Sequence, residues 1–214
     1  MHVLFDSLGS LAGGMGTTVA LSLVSFAGAM AIGVVVAAFR TSPVSPLRAA
    51  GAAYVETLRN IPLLVLLFLF FFGFPKIGVR YPPFWSAAVV LSAYMGAFIG
   101  EAIRAGVNTV SRGQAEAARA IGLTFPQTLR FVMLPQALRA VVAPIGNLFI
   151  ALVKNSSLAS TIAVVELTFV ADQRITKSAQ PIPFFIGAAA AYLLLTLPAG
   201  WLFGAIERGV AIKR

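Results

Sequence analysis

The chain has 214 residues, 59% of them hydrophobic and only 11% charged, with 16 Lys+Arg against 7 Asp+Glu. A soluble domain carries about 25% charged residues, so this balance excludes a compact soluble fold, and the hydrophobicity excludes disorder. Cysteine is absent and the one histidine, His2, stands at the N-terminus, which removes disulfides, thiolate metal sites and Ser-His-Asp chemistry.

What remains is an all-α integral membrane protein, a single domain over residues 1–214. No catalytic, cofactor or metal site is expected in it. A helix crossing about 30 Å of hydrocarbon needs roughly 20 apolar residues, and five segments meet that demand. The first covers residues 14–39, carries no charge and ends at Arg40. The second is centred on the run IPLLVLLFLFFFGF from Ile61 to Phe74. That run reaches only about 21 Å at the helical rise, so the span is drawn over 49–74 to include the preceding turns. The third runs over 83–103, the fourth over 137–153 and the fifth over 184–206. Pro62, Pro144 and Pro198 fall inside spans and mark kinks. Gly96/Gly100 and Gly200/Gly204 are G-x-x-x-G steps that let helices approach closely.

Five spans put the termini on opposite faces. One set of loops and ends holds Arg40, Arg48, Arg59, Arg104, Arg112, Arg119, Arg130, Arg139, Arg208, Lys213 and Arg214; the other holds Lys76, Arg80, Lys154, Arg174 and Lys177. The positive-inside rule then places the N-terminus outside and the C-terminus in the cytoplasm. The formal charge of +9 thus marks a membrane face and not a nucleic-acid site. The start, MHVLFDSLGS, lacks a basic n-region, so the first span is read as an uncleaved anchor.

Between the third and fourth spans lies a segment neither apolar enough to cross a membrane nor polar enough to be disordered. Residues 114–121 are alanine-rich and helical, with Glu116 and Arg119 at i,i+3. Gly122 suits the left-handed residue that ends a helix. Thr124, Pro126 and Gln127 form an N-terminal signature for a second short helix, which Pro135 ends or kinks. Helix, turn and helix make a compact knob; an amphipathic loop lying on the membrane fits the same residues.

The spacing of this segment narrows the choice. Glu116-Ala117-Ala118, three residues, Gly122, nine residues and Val132-Met133-Leu134-Pro135 resembles the EAA loop of ABC-importer permeases, with Val132 at the isoleucine position. Gly113-Gln114, Pro135-Gln136-Ala137, Arg139, Pro144 and Asn147 resemble the polar amino-acid subfamily. So do Arg59-Asn60-Ile61-Pro62-Leu63-Leu64-Val65 and Lys154-Asn155-Ser156-Ser157-Leu158, although Leu66 stands where that subfamily often has glutamine.

The resemblance implies the membrane subunit of an importer for a polar amino acid, with glutamate favoured, in a bacterial cell membrane. Its partners would be two copies of a cytoplasmic ATPase, a second permease (identical or homologous) and an extracytoplasmic solute-binding protein. ATP and Mg would be bound by the ATPase. The loop over 109–135 would dock on that ATPase through Glu116, Ala117, Ala118, Gly122, Thr124 and Phe125. The chain itself has no G-x-x-x-x-G-K-[ST]: the glycine cluster from Gly13 to Thr18 lacks the lysine.

Two further groups invite chemistry. Glu56 and Arg59, Glu101 and Arg104, and Glu116 and Arg119 share one spacing, which brings opposite charges to one helix face. Of these, Glu56/Arg59 is a candidate intramembrane pair, serving as an interface anchor or a solute contact. Asn147, Lys154, Asn155, Ser156 and Ser157 line the outer end of the fourth span. They suit either a path for a zwitterion, with Lys154 drawing a carboxylate, or an ordinary cap and turn. A self-sufficient secondary transporter or channel is the competing class; it predicts internal repeats or clustered intramembrane acids. No repeat is visible, and only Glu56 and Glu101 fall near a span.

Overall fold

The structure is a computed structural model that describes residues 7–210, with the side chains of Arg112 and Phe125 left out of the description. His2, Lys213 and Arg214 lie outside the described residues. Among those described, every regular element is helical. Four helices are long and apolar enough to cross a membrane, and a bent pair supplies a fifth candidate.

Helix α1 (Leu8–Thr41) has 34 residues and begins six residues before the expected span. Its buried face includes Gly14, Thr18, Ser22, Ser25, Ala29 and Gly33, a stripe of small side chains three or four residues apart. From Ser25 onwards that stripe meets α4 (Pro83–Asn108), whose Gly96 and Gly100 face it. A Cβ on Gly96 would stand 2.7 Å from Ile32 Cγ2, and one on Gly100 would stand 2.8 Å from Val36 Cγ1. The first G-x-x-x-G step therefore closes the α1–α4 contact, as expected. The second does not act within this chain. A Cβ on Gly200 would meet Ile150 at an ordinary 3.6 Å, and near Gly204 stands only Arg208 of its own helix. The close approach there is made by Gly146, whose Cβ would clash with Phe203 at 2.6 Å.

The expected second span is not one continuous helix. Helix α2 (Ser45–Asn60) and α3 (Leu63–Ile77) meet at 101°. Pro62 clashes with an α conformation at the residue before it, so Ile61 is extended (φ −96°, ψ 130°) and α2 stops at Asn60. Pro62 thus marks a corner and not a kink. Helix α3 tightens from a π turn (Leu69–Gly73) into a 3-10 turn (Phe74–Ile77) before Gly78 reverses the chain at φ +87°.

Helix α5 (Arg112–Ala120) ends as its sequence predicts. Gly122 sits at φ +88°; its N–H donates to Arg119 O and the Leu123 N–H to Ala118 O, the paired bonds of a Schellman turn. The Thr124 N–H and hydroxyl both donate to Gln127 Oε1, so the side chain three residues on caps the next helix. That next helix was expected to end or kink at Pro135. Instead Phe125–Thr128 runs through a π turn (Leu129–Met133) into α6 (Leu134–Asn155). The wider turn accommodates a residue with no N–H to donate, and one helix extends from Pro126 to Ile162. Pro144 lies inside it.

After α6 the backbone tightens into a 3-10 turn (Ser156–Ile162), and α7 (Leu167–Ser178) follows, where the sequence reading had only a loop. Helix α8 (Pro181–Val210) starts three residues before the expected fifth span and contains Pro198. The main core lies around α4, with Leu21, Leu67, Leu91, Ile99 and Leu152 fully buried from four neighbouring elements.

Candidate functional site

Helix α6 carries two of the polar residues singled out above on one face. Asn147 and Lys154 are seven residues apart, two turns or about 10 Å along the axis. Each opens onto a cavity.

The lower cavity, of about 360 Å³, is lined by Arg59 of α2, Phe98, Glu101, Ala102 and Ala105 of α4, and Pro144, Asn147 and Leu148 of α6. That size falls within the roughly 300–1,000 Å³ of small-molecule clefts. The structure thus brings together Arg59 and Asn147, which the sequence separates by almost ninety residues. Arg59 does not close an ion pair with Glu56. Its guanidinium lies 5.1 Å from the centre of the Phe98 ring, a cation–π arrangement. Among the described residues the ion pairs are Arg40–Glu101, at 3.4 Å, and Arg104–Glu101. Of the three Glu-x-x-Arg spacings, only Glu101/Arg104 is closed; Glu116 is exposed on the knob. Arg104 Nε also donates to Glu101 Oε1 at 2.9 Å. Glu101 thus joins α4 to the end of α1, while Arg59 shares the cavity wall with it but closes no ion pair among the described residues.

The upper cavity, of about 480 Å³, is lined by Lys154 and Ser157 from α6 and its turn, and by Ala189, Tyr192, Leu193 and Thr196 of α8. Lys154 faces the N-terminal half of α8, between Ala189 and Thr196. Its side chain is exposed and stands on the wall of this cavity. The other predicted residues divide. Ser156 is buried and donates to Val153 O, and Ser157 donates to Lys154 O, so both hydroxyls help the chain leave the helix. Asn155 turns away towards Met95 Sδ at 3.9 Å.

The knob presents a different surface. Glu116, Ala117, Gly122 and Thr124 are exposed, Ala118 is buried, and Ile121 is 79% exposed beside the turn. Small side chains around a Schellman turn leave backbone within reach of another molecule. The side chain of Phe125 lies outside the described residues.

Sequence reasoning missed Glu166. It lies between apolar residues in what was read as a loop, yet it is fully buried. Its Oε1 accepts the Phe169 N–H at 2.7 Å, and its Oε2 accepts the Thr168 N–H and the Tyr192 hydroxyl, each at 2.9 Å. The findable signal was a carboxylate directly before a Leu-Thr-Phe helix start, a capping position.

Known proteins give this architecture its family. Residues 29–212 match the model for "Binding-protein-dependent transport system inner membrane component". The probable glutamine ABC transporter permease protein GlnM of Bacillus subtilis is 42% identical over 198 residues, covering 92% of each chain. The glutamate transport system permease protein GluC of Corynebacterium efficiens is 37% identical, with both chains covered in full. The crystal structure of an amino acid ABC transporter with histidines superposes with a TM-score of 0.90 at 30% identity, over 95% of each chain. This chain belongs to the family of binding-protein-dependent transport system inner membrane components, the membrane-embedded permeases of ABC importers.

Proposed function

We propose that this chain is the translocating subunit of an ATP-driven importer for a polar amino acid, with glutamate favoured. It would work with two cytoplasmic ATPase subunits, a second permease and an extracytoplasmic solute-binding protein. The observation that carries the substrate class is the lower cavity. Arg59 and Glu101 line it, and Glu101 is already ion-paired to Arg40 and Arg104, whereas Arg59 closes no ion pair among the described residues. With the two arginines paired to Glu101 counted, the neighbourhood carries surplus positive charge, which attracts a solute carboxylate, while Asn147 offers both a donor and an acceptor. An acidic amino acid adds a second carboxylate to the first, which favours glutamate over glutamine. The relatives named above include one of each kind.

Coupling follows from the knob. The family resemblance of residues 109–135 supports docking of Glu116, Ala117, Ala118, Gly122, Thr124 and Phe125 on an ATPase. The N-terminus then lies outside and the C-terminus in the cytoplasm, in keeping with the basic loops. Closure of two ATPases would drive two knobs together, and the continuous helix from Pro126 to Ile162, which contains α6, would carry the motion to Asn147 and Lys154. ATP and Mg stay on the ATPase.

Uptake of a panel of labelled amino acids, by the complete transporter in liposomes, tests the substrate reading. Arg59→Gln is expected to lower glutamate uptake about tenfold or more, the scale of a charge-assisted contact, with glutamine uptake less affected. Equal uptake of both amino acids by Arg59→Gln and the parent would remove the lower cavity from the path.

A further inference from the structure

Glu166 is the one acidic or basic residue found fully buried among the described residues. Three separate helices converge on its carboxylate. Gly14 allows α1 to approach: a Cβ there would stand 3.0 Å from Leu167 Cα and 3.1 Å from Glu166 O. The approach brings Thr18 into the cluster, where its hydroxyl accepts the Leu167 N–H at 3.1 Å and lies 3.5 Å from Glu166 Oε2. Helix α7 contributes the N–H groups of Thr168 and Phe169. Helix α8 contributes Tyr192, whose hydroxyl also meets Thr168 Oγ1 at 2.9 Å.

A helix cap explains only part of this. Capping occupies Oε1 with Phe169 and one site on Oε2 with Thr168, and a neutral side chain at that position does the same work. Tyr192 is the remaining partner, and it is also a wall of the cavity that holds Lys154. Its ring packs against the cluster of Leu11, Leu167, Val170 and Ala188 and also lines the cavity, and the hydroxyl sets its tip. A tyrosine hydroxyl that donates to Glu166 Oε2 and accepts from the Thr168 hydroxyl, each at 2.9 Å, holds the ring tip in one position; without them the tip can shift towards the cavity or away from it.

We propose that Glu166 is a positioning residue: through the Tyr192 hydroxyl it fixes the wall of the cavity in which Lys154 meets the solute. This rests on the upper cavity being part of the solute path. The charge at Glu166 stays behind the tyrosine ring, and Lys154 remains the group presented to a carboxylate.

The cysteine-free sequence supplies the test. In the complete transporter in liposomes, Thr196→Cys puts one thiol of this chain in the cavity wall. Its rate of modification by a small charged thiosulfonate is measured by mass spectrometry of this subunit. Glu166→Gln and Tyr192→Phe should each change that rate by about threefold or more in the same direction, the lower end of coupling between contacting residues. The two together should do no more than either alone. Uptake should fall through a raised half-saturation concentration, with the maximal rate kept. A role as helix cap alone makes the opposite forecast: Glu166→Gln still lowers stability in the Tyr192→Phe background and leaves the thiol rate unchanged. That result, or additive effects of the two changes, would overturn the proposal. Failure of the underlying reading shows elsewhere. If Lys154→Met transports normally, or if the Thr196→Cys thiol is unreactive in every variant, the cavity is closed to solute and the proposal falls with it.

Discussion

Helices α4 and α8 are both long, apolar and rich in small residues, yet they are used in opposite ways. Just over half of the apolar window of α4 (56%) is buried inside the chain, against 11% for α8. Helix α4 spends its glycines on contacts with α1 and leaves Glu101 between two arginines. Helix α8 turns Leu194, Trp201 and Leu202 outward, and only one side, with Phe203, Tyr192 and Phe184, is engaged. Equal composition thus conceals an inner helix that fixes the fold and an outer one that meets lipid or, in the proposed assembly, the second permease. In lipid there is no hydrophobic drive between helices, so steric fit decides which glycines matter.

Substitutions at the two pairs of glycines break or sharpen that contrast. Gly100→Leu carries the largest effect. Its Cβ meets Val36 Cγ1 at 2.8 Å and the Gly33 carbonyl at 3.2 Å, so overpacking of about 3 kcal/mol or more is expected. Thermal unfolding in detergent should show no cooperative transition near that of the parent. Next comes Glu101→Gln, which leaves Arg40 and Arg104 facing each other across the α1–α4 contact. A fully buried pair would cost about 3–5 kcal/mol; with the carboxylate still partly exposed, about 1–2 kcal/mol is expected in the same melt. Gly122→Ala forces a side chain into φ +88° and should cost about 1 kcal/mol, with α5 frayed in hydrogen exchange. Smallest is Gly204→Leu, which within the chain meets only the movable end of the Arg208 side chain and should shift the melt of the isolated subunit by less than about 0.5 kcal/mol. A large loss there would mean that α8 has an inner contact as tight as that of α4.

Local chemistry in the knob was legible because each feature needs only neighbouring residues. A glycine at a left-handed position and a glutamine three residues beyond a threonine fold the same way wherever they occur. Direction was not legible. The run from Ile61 to Phe74 reads as half a span, and composition does not reveal that Pro62 sends the preceding helix off at 101°. Nor was pairing legible. Gly200 and Gly204 carry the right spacing, but the role fell to Gly146, whose importance depends on Phe203 arriving from another helix. Arg59 was paired on paper with Glu56, its nearest opposite charge in sequence, and the fold gave it Phe98 and a cavity shared with Asn147. Glu166 shows the same limit. Its cap is local, but its enclosure depends on Thr18 and Tyr192, from opposite ends of the chain.

The account stands on the permease being driven from outside its own sequence, through the exposed knob. Liposomes carrying this chain alone are compared with liposomes carrying it with its ATPase subunits and loaded solute-binding protein, and labelled glutamate uptake is followed after ATP is added. Uptake only in the complete system, lost in Gly122→Trp together with capture of the ATPase, is the predicted result. Concentrative uptake by the chain alone would contradict it and point to a self-sufficient transporter.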